Sequence, residues 1–144
     1  NVDMSRGALK IGQRNHELNG GGISAKASFL SHDIFKTWGK MKKLGPFDCI
    51  VVDPPSYQKG SFVAKKDYVT VIRRLPSLLT KDGYALLCLN APELTSEFLI
   101  EGVKEEGGTE LVFVERLENP STFASKYPER ALKVLLFQYR PSFE

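Results

Sequence analysis

Cysteine, histidine and tryptophan are scarce in this sequence, with two, two and one residues in 144. Cys49 and Cys88 both lie in apolar, strand-like runs. That excludes a secreted disulfide framework and fits two buried free thiols in a reducing cytoplasm. His16 and His32 lack cysteine or acidic neighbours at ligand spacing, so no metal site is expected. No run of about 18 apolar residues is present, and no charged start leads into an apolar h-region, which leaves neither a membrane helix nor a secretion signal. Strong charge is also missing: a net +3 does not by itself argue for nucleic-acid binding. What remains is ordinary, with 42% hydrophobic and 26% charged residues, as in a soluble globular chain. The length suits one domain over residues 1–144 with a single core. The opening Asn1-Val2-Asp3 reads as a start inside an element.

Apolar periodicity organises the chain. Val2 leads as a strand end into a helix from near Ser5, with Ala8, Leu9, Ile11, Gly12 and Leu18 on its stripe, stopping before Gly20-Gly21-Gly22. Ala27, Phe29 and Leu30 suggest a short strand. Asp33 can then N-cap a helix carrying Ile34, Phe35, Trp38, Met41 and Leu44 up to Gly45-Pro46. Phe47 to Val52 is a continuous apolar run of the kind buried on both faces of a parallel sheet. After a loop through Gly60, a helix spans about Lys65 to Leu79, with Tyr68, Val69, Val71, Ile72, Leu75, Leu78 and Leu79 inward and Pro76 kinking or ending it. A turn at Lys81-Asp82-Gly83, a buried strand from Tyr84 to Leu89 and a helix from Ser96 to Gly107-Gly108 follow. Thr109 to Leu117 and Ala131 to Tyr139 form two strands without a helix between them, hence antiparallel neighbours. The order is that of an open α/β sheet with a terminal antiparallel hairpin.

In open α/β sheets ligands bind outside the carboxyl ends of the strands. Here that rim comprises Asp3, Ser31 to Asp33, Asp53 to Tyr57 and Asn90 to Pro92. The most specific feature is Asp53-Pro54-Pro55-Ser56-Tyr57 directly after Ile50-Val51-Val52. Two prolines remove two backbone donors and fix φ, so acceptor oxygens dominate the loop. A base amine or ring N–H can donate to the Asp53 carboxylate or the Pro54 carbonyl, while Tyr57 offers a ring for stacking. A plain strand-ending turn is the competing account. Asp3 can take both ribose hydroxyls, and Asp33 can accept from an adenine amine. Either acid could equally cap a helix. Met4 and Ile34 beside them supply apolar plates, and the set together suggests an adenosine pocket.

Val2-Asp3-Met4-Ser5, Asn15 with Leu18-Asn19-Gly20, Asp33-Ile34-Phe35 and Phe47-Asp48 leading to Val52-Asp53-Pro54-Pro55-Ser56-Tyr57 resemble the class I S-adenosylmethionine-dependent methyltransferases. Within them the closest likeness is to bacterial large-subunit ribosomal RNA methyltransferases that modify guanine N7 or cytosine C5. The resemblance runs from Asn1 to about Asn90, and the last two strands agree with that fold's reversed seventh strand. It implies an open Rossmann-like sheet, mostly parallel, with a C-terminal antiparallel hairpin. It also implies that Asp3 holds the cofactor ribose, that Met4 and Ile34 sandwich the adenine, and that Asp33 meets its amino group. Asp53, Pro54, Pro55 and Tyr57 would form the catalytic, substrate-facing edge, with Asp53 also near the cofactor.

The sequence departs from the family in two places. The Gly-rich turn that wraps the methionine half of the cofactor belongs about twenty residues before the ribose acid. No such turn precedes Asp3 here, so the chain is expected to lack the first strand-helix unit, about 30 to 40 residues by the size of a βα unit. Cytosine-C5 transfer needs a rim thiolate. The matching position is Asn90 and Cys88 lies inside a strand, so transfer to a base nitrogen is favoured, most readily in ribosomal RNA. Charge is uneven along the chain. Lys36 to Arg74 holds nine basic against three acidic residues, and Asp82 to Glu118 two against nine. Lys36, Lys40 and Lys43 on one helical face, with Lys59, Lys65 and Lys66 by the loop, could track a phosphate backbone or simply be solvated. The alternatives are a non-catalytic RNA- or protein-binding module and, more remotely, a nucleotide-dependent oxidoreductase using Asp3. The latter gives the Pro-Pro loop no task.

Overall fold

The structure is a computed structural model describing residues 1–19, 27–60 and 62–142. Gly20-Gly21-Gly22 lies outside the described residues. Two compact units are present, residues 1–41 and 42–144.

In the first unit, β1 (Val2–Asp3) pairs in parallel with β2 (Leu30–Ser31), Asp3 opposite Ser31. Helix α1 (Arg6–Asn19) starts where the Ser5 hydroxyl accepts from the Ala8 amide at 3.2 Å, satisfying an otherwise orphan donor. Phe29 packs against α1 at Gly12, where an added Cβ would lie 3.3 Å from its ring, and meets His16 edge-on. Leu9 is the buried residue of this helix. Ile11 and Leu18, expected on the inward stripe, are exposed by 65% and 73%. The 33–44 helix is in two pieces, a 3-10 turn over Ile34–Lys36 and α2 (Trp38–Leu44). The break falls at Thr37, whose hydroxyl donates to the Asp33 carbonyl at 2.5 Å while its amide turns to Ile34. Lys36 therefore does not share an α-helix with Lys40 and Lys43.

The second unit is a mixed four-stranded sheet in the order β3 (Phe47–Val52), β6 (Leu79–Leu89), β8 (Lys133–Tyr139), β7 (Leu111–Leu117). β3 and β6 are parallel, and β8 runs antiparallel to both β6 and β7. Three strands thus point one way, with the reversed last strand inserted between two of them. Helices α3 (Ala64–Ile72) and α4 (Ser96–Glu106) pack together, Ile72 meeting Gly102, and Arg73 pairs bidentately with Glu106 at their ends. Tyr68, Ile72, Leu75, Leu87, Leu89, Leu99, Val103, Leu135 and Phe137 are fully buried. Each such side chain is worth about 1.5–3 kcal/mol of burial.

Several expectations change here. α3 ends at Ile72, with Pro76 placed in a separate 3-10 turn over Leu75–Ser77. The loop expected before α3 contains a hairpin of β4 (Tyr57–Gln58) and β5 (Phe62–Val63), in which Gly60 takes a φ of 78°. β6 begins earlier than expected and absorbs the Lys81-Asp82-Gly83 turn as an excursion, with Asp82 at φ 62°. β3 is not buried on both faces: it is an edge strand with only β6 beside it among the described residues, and Val51 is 60% exposed. For the same reason Cys49 is exposed, and Cys88 is the one buried thiol. No described helix is long and apolar enough to cross a membrane.

Candidate functional site at the carboxyl ends of the strands

Asp3 and Asp33 stand at the carboxyl ends of two neighbouring parallel strands, and the His32 amide donates to the Asp3 carbonyl at 3.2 Å. Both acids cap. Asp3 accepts from the Ser5 amide at 2.6 Å, and Asp33 accepts from the Phe35 amide at 2.9 Å. Capping occupies one carboxylate oxygen in each. The other oxygen of Asp33 lies 3.8 Å from Lys36 Nζ, while that of Asp3 has no hydrogen-bond partner among the described residues. Met4 is 55% exposed and Ile34 half-buried. Acceptors paired with accessible apolar side chains fit the donor-rich ribose and the flat adenine of a nucleoside, so the capping and binding readings are compatible.

In the second unit the Asp53–Tyr57 loop leaves β3 beside the segment leaving β6. The phenol of Tyr68 on α3 donates to the Cys88 carbonyl at 2.9 Å and to the Val52 carbonyl at 3.2 Å, tying the two strands together just below Asp53. Burial, with Cys88 and Asp53 nearby, holds that phenol well above its usual pKa and therefore protonated as a donor. The Ser56 hydroxyl donates to the Asn90 carbonyl, and the Ser56 carbonyl accepts from the Ala64 amide at 2.9 Å. One residue along, buried Lys133 donates to the carbonyls of Ala91 and Glu129, each at 2.8 Å. Burial lowers its pKa despite the acidic neighbours Glu129 and Glu93. The Pro-Pro loop is thus bonded to its surroundings, whereas Asp53 and Pro55 are exposed, Pro54 is half-buried and Tyr57 is 70% exposed. Burial and Asp53 also push the Cys88 thiol up, away from the thiolate a nucleophile requires.

Sequence reasoning missed Tyr68 and Lys133 as holders of this rim. The signals were a hydroxyl on an otherwise apolar helical stripe and a lysine in phase with Leu135 and Phe137 on an inward strand face. Among the described residues no cluster of His, Cys, Asp or Glu could hold a metal ion.

The family profile described as S-adenosylmethionine-dependent methyltransferase matches residues 1–138. The chain belongs to this family. Among curated relatives of this methyltransferase-family chain, ribosomal RNA large subunit methyltransferase I from Aeromonas salmonicida (strain A449) is 31% identical over 142 residues, covering 90% of the chain and 35% of the relative. Its namesake from Klebsiella pneumoniae (strain 342) is 30% identical over 137 residues, covering 89% and 34%. The chain therefore spans roughly a third of the length of these relatives. A SAM-dependent methyltransferase from Streptococcus mutans shares the fold with a TM-score of 0.79 at 23% identity, over 95% of this chain and 37% of that one. The N-methyltransferase NodS from Bradyrhizobium japonicum WM9, solved with S-adenosyl-L-homocysteine, reaches 0.64 at 14% identity, over 97% and 65%. The open α/β architecture with its reversed last strand is thus the methyltransferase fold.

Proposed function

We propose that this chain belongs to a catalytic domain that transfers a methyl group from S-adenosylmethionine to a nitrogen of a nucleic-acid base, in ribosomal RNA. The observation carrying this reading is the Asp53–Tyr57 loop, an acceptor-rich turn at a strand carboxyl end held by Tyr68, Ser56 and the Ala64 amide. Asp3, Met4, Asp33 and Ile34 would hold the adenosine half of the cofactor, and Asp53 would face the substrate. The cofactor supplies an activated sulfonium methyl. The protein's share is to place the acceptor nitrogen in line with it and to accept the N–H bonds of the base at Asp53 and the Pro54 carbonyl, with Tyr57 against the ring. A buried, protonated Cys88 and the absence of cysteine at Asn90 support nitrogen over cytosine C5. The names of the curated relatives support a ribosomal RNA substrate.

In the full-length enzyme, Asp53→Ala and Tyr57→Ala are expected to lower kcat for RNA methylation while leaving the melting temperature unchanged. Wild-type turnover in both variants would refute the assignment of this loop. The alternative reading is a module of this fold that binds RNA or protein without catalysis. Titration calorimetry with S-adenosylmethionine separates the two, because retained RNA binding without cofactor binding in the full-length protein selects the module.

A further inference from the structure

We infer that the connection between β7 and β8, residues 118–132, is a recognition wall that stacks unpaired bases of the RNA on Phe123 and Tyr127; the inference rests on the RNA reading above. Topology puts the segment on the rim. β3, β6 and β7 run in the same direction, so the chain leaving β7 emerges at the sheet end where Asp53–Tyr57 and Asn90–Pro92 lie. Bonds connect the three: Ser56 to the Asn90 carbonyl, then Lys133 to the carbonyls of Ala91 and Glu129.

The segment is anchored from within. Glu129 accepts from the Ser96 amide at 2.8 Å, capping α4, and forms an ion pair with Arg116. Arg116 also donates to the Pro128 carbonyl and the Ser96 hydroxyl, each at 2.9 Å. Asn119 donates to the Leu132 carbonyl at 3.1 Å, and the Ser125 hydroxyl accepts from the Tyr127 amide at 3.1 Å. On this frame Phe123 is 75% exposed and Tyr127 58%. Single exposed apolar residues need no explanation. Two aromatic rings held clear of the core by a bonded frame, beside a ligand rim, form a stacking platform.

Two further features lie beside the rings. An open cleft lined by Arg116, Leu117, Glu118, Asn119, Ala124, Ser125 and Pro128 joins the end of β7 to this segment. Lys126 sits with its ammonium 5.7 Å from the Tyr127 ring centre, and Arg130 is exposed on the same segment, so cations flank the rings as phosphates flank stacked bases.

The test is fluorescence anisotropy of a labelled single-stranded uridine-rich oligoribonucleotide, about 10 nucleotides long to match one binding platform, with the full-length protein. Phe123→Ala and Tyr127→Ala should each weaken binding about 5- to 150-fold, with an unchanged melting temperature and unchanged S-adenosylmethionine affinity by calorimetry. Tyr127→Phe, which keeps the ring, should bind as wild type does. Lys126→Gln and Arg130→Gln should each reduce the slope of log affinity against log salt by about 0.7. A Phe123→Ala/Tyr127→Ala double variant with wild-type RNA affinity overturns this inference and leaves the methyltransferase reading intact. If the wild-type protein binds no RNA, the RNA reading falls and this inference falls with it; binding of protein alone in that case reassigns the face to a protein partner.

Discussion

Tyr68 shares one proton between two carbonyl oxygens, and those oxygens belong to the residues immediately before Asp53 and Leu89. Removing the hydroxyl leaves both carbonyls short of a donor in a buried setting, at a cost of about 1–3 kcal/mol. Tyr68→Phe is therefore expected to lower stability by that amount in urea unfolding. Methyl transfer should fall further than stability predicts, because the loop it steadies faces the substrate. The two thiols offer a second residue-scale check. Cys49 lies open on the edge strand while Cys88 is buried and pushed toward its protonated form. A thiol-specific reagent should modify Cys49 rapidly in the native protein and reach Cys88 only on unfolding; equal rates would show that β3 is covered.

At the scale of elements, residues 118–132 hang on Glu129. Its carboxylate is held below the ordinary value chiefly by the Ser96 amide, and also by Arg116. A depressed folded pKa means that this anchoring is fully present above the unfolded value of about 4.3 and fades as pH falls through the lower folded value. Limited proteolysis of this segment should therefore accelerate on acidification in the wild type, and Glu129→Gln should show fast cleavage already at neutral pH. What the sequence made legible follows the same scale. α3 and α4 announce themselves by apolar spacing, and the last two strands by the lack of a helix between them. The β4–β5 hairpin does not, because two-residue strands around Gly60 carry no period. The helix break at Thr37 was equally hidden, since it depends on one side-chain bond to the Asp33 carbonyl. In the site, the Asp53–Tyr57 string stands out by composition. The 118–132 wall does not, because its rings are spaced irregularly and its cations are masked by the acidic surroundings of that half of the chain.

For the second unit taken as a whole, the edge of β3 matters most. An edge strand with exposed Val51 and no second strand beside it among the described residues offers unpaired amides and carbonyls to any passing strand. Concentrated solutions of the isolated chain are expected to self-associate, and Val51→Lys should shift the sedimentation profile toward monomer without altering the circular dichroism spectrum. An unchanged profile would mean that association uses another face.

The insertion of β8 between β6 and β7 also sets an order in time. β6 and β7 do not pair with each other; each is hydrogen-bonded to β8, and Leu135 and Phe137 on β8 complete the core. As a chain emerges from the ribosome from its N-terminal end, the sheet of the second unit stays open until the last segment arrives. Nascent chains stalled before residue 133 should consequently be held by chaperones and cut by proteases, and emergence of residues 133–139 should close the sheet, bury Lys133 and seat the rim in a single step.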